Sequence, residues 1–566
     1  MERPAGQATL TQVQKHMEGK MKKRFLAALL AGMMAVMTAA CGSTGSTQGT
    51  ASQEAAPAQA EASQESAASA AEAAPVDPGT LKVGIYGGLD SLNPWTSGRI
   101  TKDMVTYVLY ETLACCENGS TEIEEILLKG WEQKDDVTYD CEIYDYITDA
   151  AGNNIKADDV VFSFEKYMEN WATSVDSIEA TGNYTFTLKM KTTAAGAFEY
   201  IVCKVPIASK AAFEASPDGF ATTSCGTSQY TCAGGNDYVN GTTIIIRKTD
   251  SYWQTDENLI YPGSVAESDT IEFDILSEPT QMALAVENGT IDFAQYVNTS
   301  MLDEVSAYEG MTIASVPSSE DRGIMFCMTE DSPFYNDLAL RQAVLYAIDN
   351  EAVAEACGYG YGSPANVTCG NPELTVGYDA SWETSPYAYD PEKAKELLAQ
   401  SNYDGRTLRL LCNSNATITM MWQIIQANLI EVGINAELSV VEGTTYGAYR
   451  DGTSGQYDLA YAGPGNGGYV TSDLWNTLFN RNNYESGRTW AGLLDDTLQE
   501  KYDAIAAPDG YTQENLNDFY NYITENALYY KIYDLPEYCA YKEANITGYF
   551  SDWNRFIRAN TIRKAQ

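Results

Sequence analysis

The chain holds one histidine, His16, and none follows it over the next 550 residues. That excludes Ser-His-Asp and Cys-His nucleophile pairs, the H-E-x-x-H zinc helix and any imidazole-ligated metal in the body of the chain. Paired carboxylates pass this filter, because glycoside hydrolysis needs only Asp and Glu. There are 78 acidic residues, and no pair stands apart by its spacing, so no local catalytic motif emerges. Gly463–Tyr469 (GPGNGGY) has the glycine content of a phosphate cradle but lacks the G-K-[S/T] that places a lysine on the phosphates. It reads either as a plain glycine-rich turn or as a loop whose backbone and Asn466 face a solute. The 12 cysteines are Cys41 and eleven in the body, an odd number that leaves at least one thiol free or paired between chains. Cys225 with Cys232, and Cys357 with Cys369, are candidate pairs, while the adjacent Cys115 and Cys116 are poor partners for each other. No C-x-x-C occurs, which argues against a zinc ribbon or thioredoxin-like site.

Residues 21–79 indicate where the chain works. Met21-Lys22-Lys23-Arg24 is a basic start, Phe25–Met37 is a compact apolar run, and Thr38-Ala39-Ala40 places small residues before Cys41. This is the pattern of a secretory signal over 21–40, and its apolar run is too short to span a bilayer. The cysteine at the cut resembles the lipobox of bacterial lipoproteins, which implies lipidation of Cys41 and a membrane anchor; Thr38 departs from that motif's usual Leu. Residues 1–20 read as a start codon placed too early, with Met21 as the true start. Residues 41–79 are nearly all Ser, Thr, Ala, Gln, Glu and Gly, so they read as a disordered tether. The body that follows is too long for one simple core. With 35 basic against 78 acidic residues the net charge is −43, a field that repels phosphate backbones and argues against nucleic acid as a partner.

The elements alternate between strand and helix. Leu81–Tyr86, Thr138–Ile147, Tyr184–Met190, Thr243–Arg247, Thr270–Ile275, Ile434–Val440 and Tyr457–Ala462 have strand patterns. Helical patterns cover Lys102–Leu113, Asp158–Trp171, Asp337–Glu355, Ala416–Val432 and Gln513–Lys531. Asp390-Pro391 opens a further helix with Asp as N-cap and Pro at the first position, and Gly433 stops the helix before it. Such alternation indicates α/β lobes with mixed sheets.

Several stretches together resemble the peptide/nickel class (family 5) of extracellular solute-binding proteins of ABC importers. They are Leu89–Pro94 (LDSLNP), Lys156–Ser163 (KADDVVFS), Cys225–Tyr230 (CGTSQY), Ser332–Asp349 (SPFYNDLALRQAVLYAID), Tyr389–Leu398 (YDPEKAKELL) and Glu431–Ala436 (EVGINA). The resemblance covers about residues 80–566. It implies an α/β, two-lobed periplasmic-binding-protein-like fold (class II) with mixed sheets, a hinge and an extra subdomain in the first lobe. Lobe one would take 80–320, lobe two 321–534, and 535–566 would return to lobe one. Asp321 and Asp534 fall at the hinge.

The resemblance also implies the role: capture of a small solute, most often a di- or oligopeptide, and its delivery to an ABC permease, with no catalysis, no cofactor and no metal, by a monomer. In peptide binders of this family a G-W-x-x-D stretch follows the strand equivalent to Tyr457–Ala462, and its Asp pairs with the peptide ammonium. Here Pro464 replaces the Trp and Gly467 falls at the Asp, with no carboxylate before Asp473. Either Asp473 has taken that role or the solute lacks a free amine, which keeps an oligosaccharide as the rival. Tyr446 and Tyr449 stand where the family has cleft-lining aromatics, and Tyr461, Tyr469 and Trp475 extend that set. Arg99, after the first strand, offers a bidentate carboxylate grip or an internal salt bridge. Arg341 and Asp349 read as structural. A surface adhesin or secreted hydrolase is the remote alternative.

Overall fold

The computed structural model describes residues 79–88, 91–97, 102–116, 122–170, 173–318, 320–384, 386–450, 455–463, 468–471, 474–482, 495–551 and 557–565. The signal, Cys41, the tether, Arg99, Asn466 and Asp473 lie outside the described residues.

Two mixed sheets carry the body. The first has eight strands, seven of them in the order Met311–Val316, Glu537–Lys542, Phe293–Ala294, Thr80–Ile85, Thr270–Ile275, Thr243–Lys248 and Tyr230–Thr231. Its centre is parallel, with Thr80–Ile85 between Thr270–Ile275 and Phe293–Ala294. Leu81, Val83 and Ile85 are almost wholly buried there, as expected of a strand covered on both faces. The second sheet runs Ser363–Pro364, Tyr529–Asp534, Arg322–Phe326, Leu459–Ala462, Leu408–Asn413, Ala436–Val441. Each sheet has its own large apolar core, and a smaller one lies under helix Pro279–Asn288. A four-stranded antiparallel sheet, Leu128–Gln133, Thr138–Ile143, Thr185–Met190 and Val175–Ala180, adds a layer to the first half. The two-lobed α/β architecture with mixed sheets is therefore present.

The chain passes between the two main sheets twice. It leaves the first after Val316 and enters the second at Arg322, then returns between Asp534 and Glu537.

The family-like motifs are structural clamps. In K-A-D-D-V-V-F-S, the Asp159 carboxylate accepts from the backbone N–H of Lys156 at 2.8 Å and of Lys210 at 2.9 Å. Ser163 donates to the carbonyl of Ala208 at 3.2 Å. Arg341 donates to the carbonyls of Phe334 and Asn526, in keeping with a structural role. The Asp390 cap accepts from Lys393 N–H at 2.9 Å, and helix Ala416–Val432 ends at Gly433.

Some elements differ from expectation. The stretch Asp337–Glu355 is two helices, Leu338–Ala347 and Asn350–Cys357, because Ile348 is extended and Asp349 starts the second by accepting from Ala352 N–H. Gln513–Lys531 is helical only to Glu525 and then becomes the buried strand Tyr529–Asp534, where pairing with Arg322–Phe326 outweighs helical spacing. Lys102–Leu113 holds one π-helical turn and a short α turn before strand Ala114–Cys116. All eleven body cysteines are free thiols, so neither expected disulfide is formed.

Candidate ligand-binding site

The first crossing splits its charges between two faces. Asp321 turns into the core, where its carboxylate meets Lys531 Nζ at 3.1 Å and accepts from Gly370 N–H at 2.8 Å. Lys531 also meets Asp534 at 2.6 Å and donates to the Gly370 carbonyl at 2.7 Å. Burial works against the ammonium, but Asp321 and Asp534 hold its pKa above the ordinary lysine value. This triad pegs both crossings to one point.

Glu320 and Arg322 take the other face. Glu320 Oε1 accepts from the Tyr461 hydroxyl at 2.7 Å, and Glu320 Oε2 lies 3.5 Å from Arg322 Nη2. Arg322 donates to the Leu535 carbonyl at 2.9 Å and stands 5.8 Å over the Tyr533 ring. Burial opposes the Arg322 charge, yet Glu320, the tyrosines and Glu537 hold its pKa above the ordinary arginine value. Burial, then Glu320, raise the Tyr461 hydroxyl far above the usual range, so it stays a donor. The Glu320 side chain keeps 36% of its surface exposed.

The first sheet supplies the facing wall. Tyr86 follows strand Thr80–Ile85 and Tyr296 follows its parallel neighbour Phe293–Ala294, with ring centroids 5.1 Å apart. The crevice beyond the carboxyl ends of parallel strands is where α/β folds place their ligands. Tyr86 is exposed. Burial and then Glu537 push the Tyr296 hydroxyl up to about 12, while Arg322 pulls the other way. Tyrosines from both halves thus converge on two carboxylates and one guanidinium. This patch can stack flat groups, accept from an amine and donate to oxygen.

Gly463 begins the glycine-rich loop beneath Glu320, where a Cβ would stand 2.6 Å from Oε1 and 2.9 Å from the Tyr461 hydroxyl. At the loop's far end Gly468 donates to the Leu374 carbonyl and accepts from Val376 N–H. Tyr469 then rests on Gly196, whose φ of 78° and missing side chain admit the ring. Thr471 donates to the Ala195 carbonyl and Thr193 to the Ala506 carbonyl, both at 2.8 Å. Tyr361 donates to Asp303 at 2.7 Å. These contacts join the halves. A separate cavity of about 230 Å³ lies beside the crossings, lined by Ser318, Asn371, Glu373, Asp534 and Leu535 among others, and shares none of the tyrosine cluster.

Of the residues singled out in the sequence, the structure places Tyr461 in this cluster. Tyr469 lies on the contact between the halves. Tyr446 is buried one layer behind, donating to the Tyr461 carbonyl at 2.5 Å beneath the Arg450 guanidinium. Tyr449 packs half-buried on the second core. Trp475 belongs to helix Leu474–Phe479, and its side chain is outside the described residues, like Arg99 and Asn466. Sequence reasoning missed Tyr86, Tyr296, Glu320, Arg322, Tyr533 and Glu537. A tyrosine directly after a buried parallel strand was the available signal for Tyr86.

Comparison with known proteins gives these residues a context. Heme-binding protein A of Haemophilus influenzae is 24% identical over 380 residues, 60% of this chain and 65% of that protein. A Brucella ovis relative, provisionally named for peptide binding by an ABC transporter, is 27% identical over 227 residues, so this chain spans 41% of its length. The ABC transporter substrate binding protein CtaP of Listeria monocytogenes shares the fold at a TM-score of 0.70 with 21% identity, over 86% of this chain and 99% of that one. The profile of the bacterial extracellular solute-binding proteins, family 5 Middle, matches residues 122–486. With more than half of its length inside that match, the chain belongs to the family 5 bacterial extracellular solute-binding proteins.

Proposed function

We propose that this chain captures a small solute, first of all a di- or oligopeptide, between two lobes and delivers it to the permease of an ABC importer. Proteins of this family carry solutes and do not transform them. The observation that carries the peptide reading is Glu320. It puts a half-exposed carboxylate at the start of the loop whose sequence lacks an acid at the ammonium position. A bound ammonium without an anion would be costly, and Glu320 removes that difficulty. Lobe one comprises 80–320 and 535–566, lobe two 321–534, and the two crossings act as the hinge about which the lobes close. Residues 21–40 serve as the signal, and Cys41 carries a lipid that anchors a monomer by its 41–79 tether to the bacterial membrane, at the cell surface or in the periplasm. No helix among the described residues is long and apolar enough to cross a membrane.

Calorimetric titration of the body, residues 80–566, tests the reading. Di- to pentapeptides with a free amine should bind, and their N-acetylated forms should bind at least tenfold more weakly. Equal affinity for the two forms would remove Glu320 from amine recognition. The tyrosine-lined wall favours a second reading, an oligosaccharide, which predicts binding of uncharged sugars and none of peptides. A broad panel with no binder at all would overturn the importer role.

A further inference from the structure

Two of the free thiols touch. Cys116 Sγ and Cys203 Sγ lie 3.6 Å apart, 87 residues from each other in sequence. Cys116 ends strand Ala114–Cys116 and is half-buried, while Cys203 sits in the last turn of helix Ala197–Lys204 and is buried. Strand alternation explains the choice of partner. Cys115 turns the other way, accepting from the Tyr261 hydroxyl at 3.1 Å, which leaves Cys116 to face the helix. A disulfide closes to about 2.05 Å between sulfurs, so the bond needs a shift of about 1.5 Å at two flexible side-chain ends. Among the described residues no cluster of three His, Cys, Asp or Glu side chains accompanies the pair as a metal site would require.

We propose that Cys116 and Cys203 form a reversible disulfide when the exported protein meets a disulfide-bearing oxidant. Exported compartments permit such bonds. The half-buried Cys116 loses its proton and attacks a sulfur of the oxidant, forming a mixed disulfide and releasing the oxidant's first thiol. Cys203 then gives up its proton and attacks the Cys116 sulfur, which breaks the mixed disulfide and releases the second thiol. Two protein thiols are oxidised, one external disulfide is reduced, and the two protons pass to the departing sulfurs. Burial keeps Cys203 protonated in the resting state, so the first attack falls to the more exposed Cys116. The bond ties the strand to the helix that begins at Gly196, the seat of Tyr469. Oxidation therefore stiffens the lobe-one shoulder on which the second half rests.

The test incubates native residues 80–566 with oxidised glutathione, alkylates remaining thiols and maps peptides by mass spectrometry with fragmentation. The expected result is a Cys116–Cys203 linked peptide lacking two hydrogens, a raised thermal midpoint and slower amide exchange over 197–204. Neither stability change should appear in Cys116→Ser given the same treatment. Recovery of both cysteines alkylated, a link through Cys115, or Cys116 held only as a glutathione adduct would each overturn the proposal. The wild-type map decides the matter even where the variant fails to fold.

Discussion

Glu320 and Asp321 are adjacent in the chain and opposite in surroundings. Asp321 has no exposed surface and is locked to Lys531 and the Gly370 backbone. Glu320 keeps more than a third of its side chain exposed and leans on one hydroxyl and one guanidinium. Two charges taken from water recover little net stability from each other, but removing one strands the other at high cost. The inner face of the crossing is thus committed to holding the two halves in register. The outer face keeps a carboxylate whose hydrogen-bonding capacity is not exhausted, which is what a ligand site requires. One residue step along an extended chain separates the buried triad from the partly exposed carboxylate.

The sharpest way to break this contrast is to remove the inner cation. Lys531→Met should lower unfolding stability by about 3–5 kcal/mol in urea titration, since Asp321 is left buried without its countercharge. Adding Asp321→Asn should restore much of that loss. A single variant as stable as the parent would show that the triad does not fix the crossing. The outer face should respond differently. Glu320→Gln should cost less stability than Lys531→Met, because Arg322 keeps the Leu535 carbonyl and the nearby Glu537, and should weaken an amine-bearing solute by about 1.5–3 kcal/mol, the range for a hydrogen bond to a charged group. Loss of stability with unchanged affinity would reverse the roles assigned to the two carboxylates.

The inner face was partly legible in the sequence and the outer face was not. Local chemistry marked the cap at Asp390 and the stop at Gly433, and the family resemblance, not any local pattern, implied a hinge at Asp321 and Asp534. The clamp at Asp159 is local in its bond to Lys156 but reaches Lys210 only through the fold. The outer cluster depends on contacts that no spacing encodes. Tyr86 and Tyr296 meet because two distant strands are parallel neighbours. Glu320 lies between regular elements, outside any periodic pattern. The break at Ile348–Asp349 was hidden by continuous helical spacing, because an aspartate that caps a second helix looks locally like a residue inside one long helix. Cys116 and Cys203 likewise meet only through packing of a helix on a strand.

The contact between the halves offers a smaller, separate test. Gly196→Ala places a side chain where φ is 78° and where the Tyr469 ring already lies. The backbone conformation alone costs about 1–2 kcal/mol for a non-glycine residue. Because the obstructed ring belongs to the other half, the variant should also lower solute affinity, read by calorimetry beside urea unfolding. A variant that loses only stability would confine Gly196 to the shape of its own lobe.

The mildest change separates the two faces most finely. Tyr461→Phe removes the hydroxyl that Glu320 accepts from and leaves the ring in place. That hydroxyl remains protonated across the working pH range, so its loss takes away a donor without altering charge. Glu320 still has Arg322 and gains freedom to turn toward a ligand. Affinity should therefore change by only about 0.5–1.5 kcal/mol, with the preference for free-amine over N-acetylated peptides retained. Tyr446→Phe deletes a hydroxyl one layer deeper, where the Tyr461 carbonyl would lose the donor that reaches it. It should lower stability by a similar amount and leave affinity untouched. If Tyr446→Phe weakens binding as much as Tyr461→Phe, the boundary between core and cleft lies one residue layer deeper than Glu320 and Tyr461 indicate.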